Sequence, residues 1–170
     1  MDQRYMNGVV LNAPPSPPFG LKHKAYVYLT CGTRLLVFSQ PDEPEIGLQV
    51  PGGTIDPGES YLHGARREFT EETGLSLTSA LEPLIDQDVF FDNSAGRDLH
   101  RRRLYHGRTA RIERHEWEHY EMSPSAGGDP IRFRLFWIDL HSRTAHDPSL
   151  FFAGFAEPLD LIRKRIGERL

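Results

Sequence analysis

Hydrophobic residues recur along this chain with two periods, and the switches between them mark out its elements. Residues 25–30 (AYVYLT) and 35–38 (LLVF) are rich in β-branched and aromatic side chains and flank Cys31-Gly32-Thr33-Arg34, a short turn containing glycine. That arrangement predicts a β-hairpin. Residues 39–47 (SQPDEPEIG) read as a loop, and 48–50 begin a short extended segment stopped by Pro51-Gly52-Gly53. After a second turn at Asp56-Pro57-Gly58, Leu62, Ala65 and Phe69 fall at spacings of three and four, which predicts a helix over 60–73 with one buried stripe. Ser60 suits its N-cap and Gly74 the left-handed position past its end. Residues 84–91 read as a strand, 92–98 as a polar loop, 104–112 as another strand and 123–130 (SPSAGGDP) as a turn-rich connection. In 131–140 (IRFRLFWIDL) arginines alternate with large apolar residues before the run turns apolar, as in a strand entering a core. Residues 159–170 predict a C-terminal helix. The proline-rich stretch 12–20 (NAPPSPPFG) suits neither a helix nor a central strand, so residues 1–23 read as an N-terminal arm and 24–170 as one domain.

Composition narrows the class. With 170 residues, 38% hydrophobic and 26% charged, the chain reads as one ordinary globular domain that holds a core without cross-links. Cys31 is the only cysteine, which excludes an intramolecular disulfide and any zinc site built on cysteine pairs, and makes a reducing cytoplasm the expected compartment. No apolar run approaches the roughly 20 residues of a membrane span, and the first residues, MDQRYMNGVV, lack the pattern of a signal peptide. A membrane partner is therefore not expected. The net charge of −4 argues against a protein that wraps nucleic acid, since phosphate neutralisation calls for a basic surplus.

Candidate chemistry concentrates on the predicted helix. Glu68, Glu71 and Glu72 stand at i, i+3 and i+4 and fall within one arc of a helix. Like charges at those spacings oppose helix formation by about 0.2–0.5 kcal/mol per pair. Arg67 offsets part of that repulsion, and a divalent cation would offset far more; an oxygen-only site favours a hard ion such as Mg²⁺ or Mn²⁺. Three glutamates alone also suit a solvated acidic helix face. Their surroundings change that balance: Gly53, five residues, Glu59, seven residues, Arg67-Glu68-Phe69, one residue, Glu71-Glu72, one residue and Gly74-Leu75 fill every fixed position of the Nudix box. The chain thus resembles a Nudix hydrolase over about residues 24–75, with Phe69 standing where a smaller aliphatic is usual.

The resemblance implies an α/β/α sandwich around a mixed β-sheet, with 24–170 as the Nudix hydrolase domain. It also implies hydrolysis of a nucleoside diphosphate linked to another moiety (NDP-X), by attack of water at phosphorus. Carried over by position, Glu68, Glu71 and Glu72 are metal ligands for Mg²⁺ or Mn²⁺, and one of them is a candidate base. The Gly52 carbonyl is an added ligand, and Arg67 and Glu59 orient the cluster. Side chains at 52 and 53 would crowd the backbone approach, which accounts for glycine there. A small nucleotide is the expected partner, nucleic acid entering only as a capped-RNA substrate; a homodimer is left open. The subgroup markers of ADP-ribose and diadenosine polyphosphate hydrolases, a proline or a tyrosine downstream of the box, are absent where Val89 to Asp92 stand.

Other signals compete. His115-Glu116-Trp117-Glu118-His119 satisfies HExxH, the helix signature of zinc metalloproteases, but its flanks keep no helical period. At least part of 115–121 is therefore expected to be extended. A catalytically silent Nudix-fold nucleotide sensor is a further alternative, disfavoured by the intact box. Arg101-Arg102-Arg103, with Arg97 and Arg108 nearby, suits either a grip on phosphates or a solvated edge. Trp117 and Trp137 suit the core better than a base-stacking role, and Cys31 reads as an inert thiol. One more metal-binding carboxylate is sought among Glu113, Glu116, Glu118 and Glu121, with Glu118 favoured because Trp117 beside it can pack the backbone in place.

Overall fold

The computed structural model describes residues 8–94, 96–124 and 127–168. The first seven residues of the expected arm, Ala95 in the expected polar loop, positions 125 and 126 of the turn-rich connection and the last two residues of the expected C-terminal helix lie outside the described residues.

Eight strands form one mixed sheet, in the order β1-β5-β6-β2-β3-β8-β7, with β4 paired to β2 off that path. Their ranges are β1 Val9–Leu11, β2 Gly20–Cys31, β3 Arg34–Ser39, β4 Gly52–Thr54, β5 Leu81–Asn93, β6 Gly96–Arg108, β7 Glu116–Glu121 and β8 Ile131–Asp139. The helices are α1 Tyr61–Thr73, the single turn α2 Arg143–His146 and α3 Leu159–Gly167. The named strands pair antiparallel except β2 with β6, which run parallel from Gly20↔Asp98 to Thr30↔Arg108. One edge of β2 is therefore taken by β6 along its length. The other edge meets β4 through Lys24–Tyr26 and β3 at Thr30 and Cys31.

Strand alternation sends successive side chains to opposite layers. Ala25, Val27 and Leu29, with Leu36, Phe38, Tyr105 and Leu135, pack against Ala65 and Phe69 of α1. Tyr26 and Tyr28, with Leu35, Val37, Leu104 and Ile138, pack against Phe151, Phe155 and the α3 residues Leu159 and Ile162. The sheet thus separates two cores, each covered by a helix, which is the expected α/β/α sandwich.

Several boundaries differ from the sequence expectations. Most of the loop expected at 92–98 is strand, since β5 runs to Asn93 and β6 begins at Gly96, and the strand expected at 104–112 is β6, shifted toward the N-terminus so that it contains the arginine run. Alternation explains why that run is compatible with a central strand. Arg101 and Arg103 lie on one face and pair with Asp88 and Asp86 of β5, while Arg102 is fully buried on the other. The Arg102 guanidinium lies 4.5 Å from the centre of the Phe155 ring and donates to the Ala153 carbonyl at 2.6 Å. Arg101–Arg103 is thus not a solvated edge. Within the stretch read as an arm, Val9–Leu11 pairs with β5 and Gly20–His23 pairs with β6. On α1 the buried stripe contains Ala65 and Phe69 but not Leu62, which is exposed; Gly64, Glu68, Glu72 and Thr73 complete it.

Candidate active site

The box forms loop, strand and helix as its residues dictate. Ser60 accepts a hydrogen bond from the His63 backbone N–H and starts α1; Gly74, at φ 72°, ends it with its N–H donating to the Thr70 carbonyl. The buried stripe of α1 carries two of its three box glutamates inward, so a helix packed for its apolar side chains also presses carboxylates against the Gly52–Thr54 strand.

Two glycines make that approach sterically feasible. A Cβ on Gly52 would collide with the Ala25 carbonyl and the Tyr26 backbone, and a Cβ on Gly53 with the Glu68 carboxylate. Gly52 contacts the cluster through its N–H, which donates to Glu72 Oε2 at 2.8 Å. The expected role of its carbonyl rests on position alone.

Glu68, Glu72 and Glu121 bring carboxylate oxygens within 4.8 Å of one another. Glu68 and Glu72 are buried and Glu121 is half-buried. Burial pushes the Glu72 carboxyl well above the usual carboxylate range, with Glu121 and Glu68 adding repulsion that its hydrogen bond from Gly52 opposes. Burial also raises Glu68 and Glu121. Three oxygen donors converging where ionisation is disfavoured fit a hard divalent cation, which would supply the missing positive charge.

Glu71 does not join this set. It is on the exposed flank of α1 and accepts from Arg67 Nη1 at 3.1 Å, with 54% of its side chain exposed. The reason is angular: Glu68 and Glu72 are one turn apart on the buried stripe, and Glu71 is rotated off it. Arg67 links several parts of the box. Its Nε and Nη2 each reach Glu59 at 2.9 Å, Nη1 reaches Glu68 at 2.9 Å, and Nη2 also donates to the Thr54 carbonyl. That guanidinium holds the Glu59 carboxyl down to about 2, helped by the Asp56 N–H.

Glu121, not Glu118, faces the cluster. On β7 the side chains of Trp117, His119 and Glu121 turn toward α1, and those of Glu116 and Glu118 turn away to meet Arg134 and Arg132. Trp117 donates to the Thr73 carbonyl at 2.8 Å, and a His119 Nε2 hydrogen bond reaches the Glu71 carbonyl at 2.9 Å. These two contacts clamp β7 to the end of α1 and set Glu121 opposite Glu72. The zinc signature is absorbed by the same strand. His115 precedes β7 and His119 lies within it, so four residues of extended chain place them about 13 Å apart, too far to share one ion.

Over the cluster opens a cleft of about 560 Å³ whose lining includes Lys24, Tyr26, Gln49, Gly53, His100 and Phe152. Asp42 and Arg132 stand at another part of its wall, joined at 2.8 Å. Burial holds His100 down to about 2, so it is neutral near pH 7. Of the tryptophans, Trp117 and Trp137 both pack on the α1-side core, and the Trp137 indole donates to the Arg114 carbonyl.

A sequence profile of the NUDIX domain matches residues 21–147. No curated protein matches the chain. Similar solved structures include a MutT NUDIX hydrolase from Burkholderia pseudomallei, at 18% identity and TM-score 0.59, covering 82% of this chain and 96% of that one. A MutT protein from Methanosarcina mazei Go1 has 15% identity and TM-score 0.58, covering 88% and 98%. A pyrophosphohydrolase from Bacillus subtilis has 16% identity and TM-score 0.52, covering 95% and 90%. At these identities the likeness is one of fold.

Proposed function

This chain belongs to the Nudix family of hydrolases acting on acid anhydrides, and we propose that it cleaves the diphosphate of a nucleoside diphosphate linked to a second group, using Mg²⁺ or Mn²⁺ held by Glu68, Glu72 and Glu121. The observation that carries this reading is the convergence of three carboxylates from two elements on the floor of one cleft. A buried acidic cluster is costly in isolation, and the cost is offset when a cation is the intended occupant.

Divalent ions, when held by Glu68, Glu72 and Glu121, would neutralise phosphate oxygens and make water a better nucleophile. The chain's own groups do the remaining work. Glu72 is fixed by the Gly52 N–H, which orients one oxygen and leaves the other to the cleft. Glu68 is fixed by Arg67, and Arg67 by Glu59, so the loop before α1 and the helix hold the ligands as one unit. Glu71, on the exposed flank of α1 and paired with Arg67, lies outside this three-carboxylate group and keeps the role its box position implies, a further ligand or the base. The capped-RNA class remains within the substrate range, as do nucleotide sugars and dinucleoside polyphosphates.

A hydrolysis screen over nucleoside triphosphates, nucleotide sugars, dinucleoside polyphosphates and capped RNA, with and without Mg²⁺ or Mn²⁺, tests the reading. Metal-dependent release of a nucleoside monophosphate from at least one class is expected. Turnover that persists in chelator, or an intact cluster that binds no Mn²⁺, would overturn it.

A further inference from the structure

The cleft over the carboxylates also contains a cation that the box does not use. Lys24 lies on β2, one residue before the Ala25–Leu29 core run, and lines the cleft together with Gly53, Glu68, Glu72 and Glu121. Its Nζ donates to Thr54 Oγ1 at 2.8 Å, which occupies one of its three N–H bonds. Among the described residues no carboxylate lies within ion-pair distance of it. The neighbouring cations are already engaged. Arg67 is bound by Glu59 and Glu68, Arg132 by Asp42 and Glu118, and Lys22 lies 3.5 Å from Asp98.

Lys24 is poorly accommodated by the protein alone. Burial and the charges of Lys22 and Arg102 bring its amine down to about 8, with Glu68 and Glu72 opposing that only in part. A half-buried ammonium that keeps spare donors is a cost to the fold unless a ligand supplies oxygens for it. The compact, rotatable ammonium suits the non-bridging oxygens of phosphates.

We propose that Lys24 is a substrate-binding residue, its ammonium taking non-bridging oxygens of the substrate's diphosphate while ions at Glu68, Glu72 and Glu121 take others. This rests on the function proposed above. Metal and lysine then divide the charge of the diphosphate within one cleft, and a substrate lacking a second phosphate loses one of the two holds.

The chain has three lysines, Lys22, Lys24 and Lys164, so the test can begin without any substitution. After reductive ¹³C-methylation, which keeps the charge, the three side chains are followed by NMR while ADP is added in Mg²⁺. The Lys24 signal is expected to shift and the Lys164 signal to stay in place. Lys24→Met in the full chain is then expected to bind ADP about tenfold or more weakly by calorimetry, with Mn²⁺ affinity by electron paramagnetic resonance undiminished, since a positive charge near the carboxylates is removed. Lys24→Arg should recover part of the loss. In hydrolysis, Lys24→Met should raise KM more than it lowers kcat.

An unmoved Lys24 signal at saturating ADP, equal ADP affinity in wild type and Lys24→Met, or loss of Mn²⁺ affinity in that variant would each overturn the proposal. If Lys24→Met does not fold, the NMR titration decides alone. Failure of the underlying function is distinguishable, because the wild-type protein itself would then bind no Mn²⁺.

Discussion

Glu72 combines several constraints at one side chain. It is buried, it accepts the Gly52 N–H, and it lies within reach of two further carboxylates. Glu72→Gln keeps the acceptor for Gly52 and removes the charge, so the variant should fold with unchanged or slightly higher stability and lose turnover by orders of magnitude. Circular dichroism melting and steady-state kinetics on the same preparation check both halves. Arg67 acts differently, since it spans Glu59, Glu68 and the Thr54 carbonyl. Arg67→Ala leaves Glu68 buried without its partner; with about a quarter of the Arg67 side chain exposed, a loss of about 1–3 kcal/mol is expected in urea denaturation. The residue types of this site were legible in the sequence because the box fixes them by spacing. The separation of Glu71 from Glu68 and Glu72 was less so, because a 100° arc looks like one face until the edge of the packing surface is known.

At the scale of elements, β7 determines which downstream carboxylate completes the cluster. Glu118 and Glu121 are three residues apart and so point to opposite faces of a strand. Glu121→Gln should raise the Mg²⁺ concentration needed for half-maximal rate, whereas Glu118→Gln should behave as wild type; metal titrations of the two rates decide it. A signal for this was present in the sequence, since Trp117, His119 and Glu121 share one parity and an aromatic at the first of these positions marks the inward face. Favouring Glu118 as the neighbour of Trp117 applied chain adjacency where alternation governs. The helix α1 and the first hairpin were readable because caps and turns bracket them. The start of β6 was not, because three consecutive arginines look solvated until β5 supplies Asp86 and Asp88 on one face and aromatic rings receive Arg102 on the other.

For the whole molecule, the site sets a pH dependence of opposite sign to that of the box ion pair. Glu68, Glu72 and Glu121 hold protons in the fold at pH values where the unfolded chain has released them, so the metal-free protein loses stability as pH rises above the ordinary carboxylate value of 4.5. Glu59, held at about 2, works the other way: its stabilisation is complete above 4.5 and is lost as pH falls through about 2. Because metal binding requires ionised ligands, the rise in melting temperature on adding Mg²⁺ should be larger at pH 8 than at pH 5.5, and scanning calorimetry at both values measures it. An increment independent of pH would contradict the ligand assignment.

The parallel pairing of β2 with β6 also has a consequence during biosynthesis. The edge of β2 from Gly20 to Thr30 waits for residues 98–108, each partner being added by the ribosome 78 residues later. At about 5–20 residues per second that edge stays open for roughly 4–16 s. Throughout that interval the nascent chain exposes the apolar run Ala25 to Leu29, with only Lys22, His23 and Lys24 ahead of it to discourage contact with other nascent chains. Slower translation between the first hairpin and β6 lengthens the exposure, so synonymous codon choice within residues 40–95 is expected to alter soluble yield without altering the finished protein.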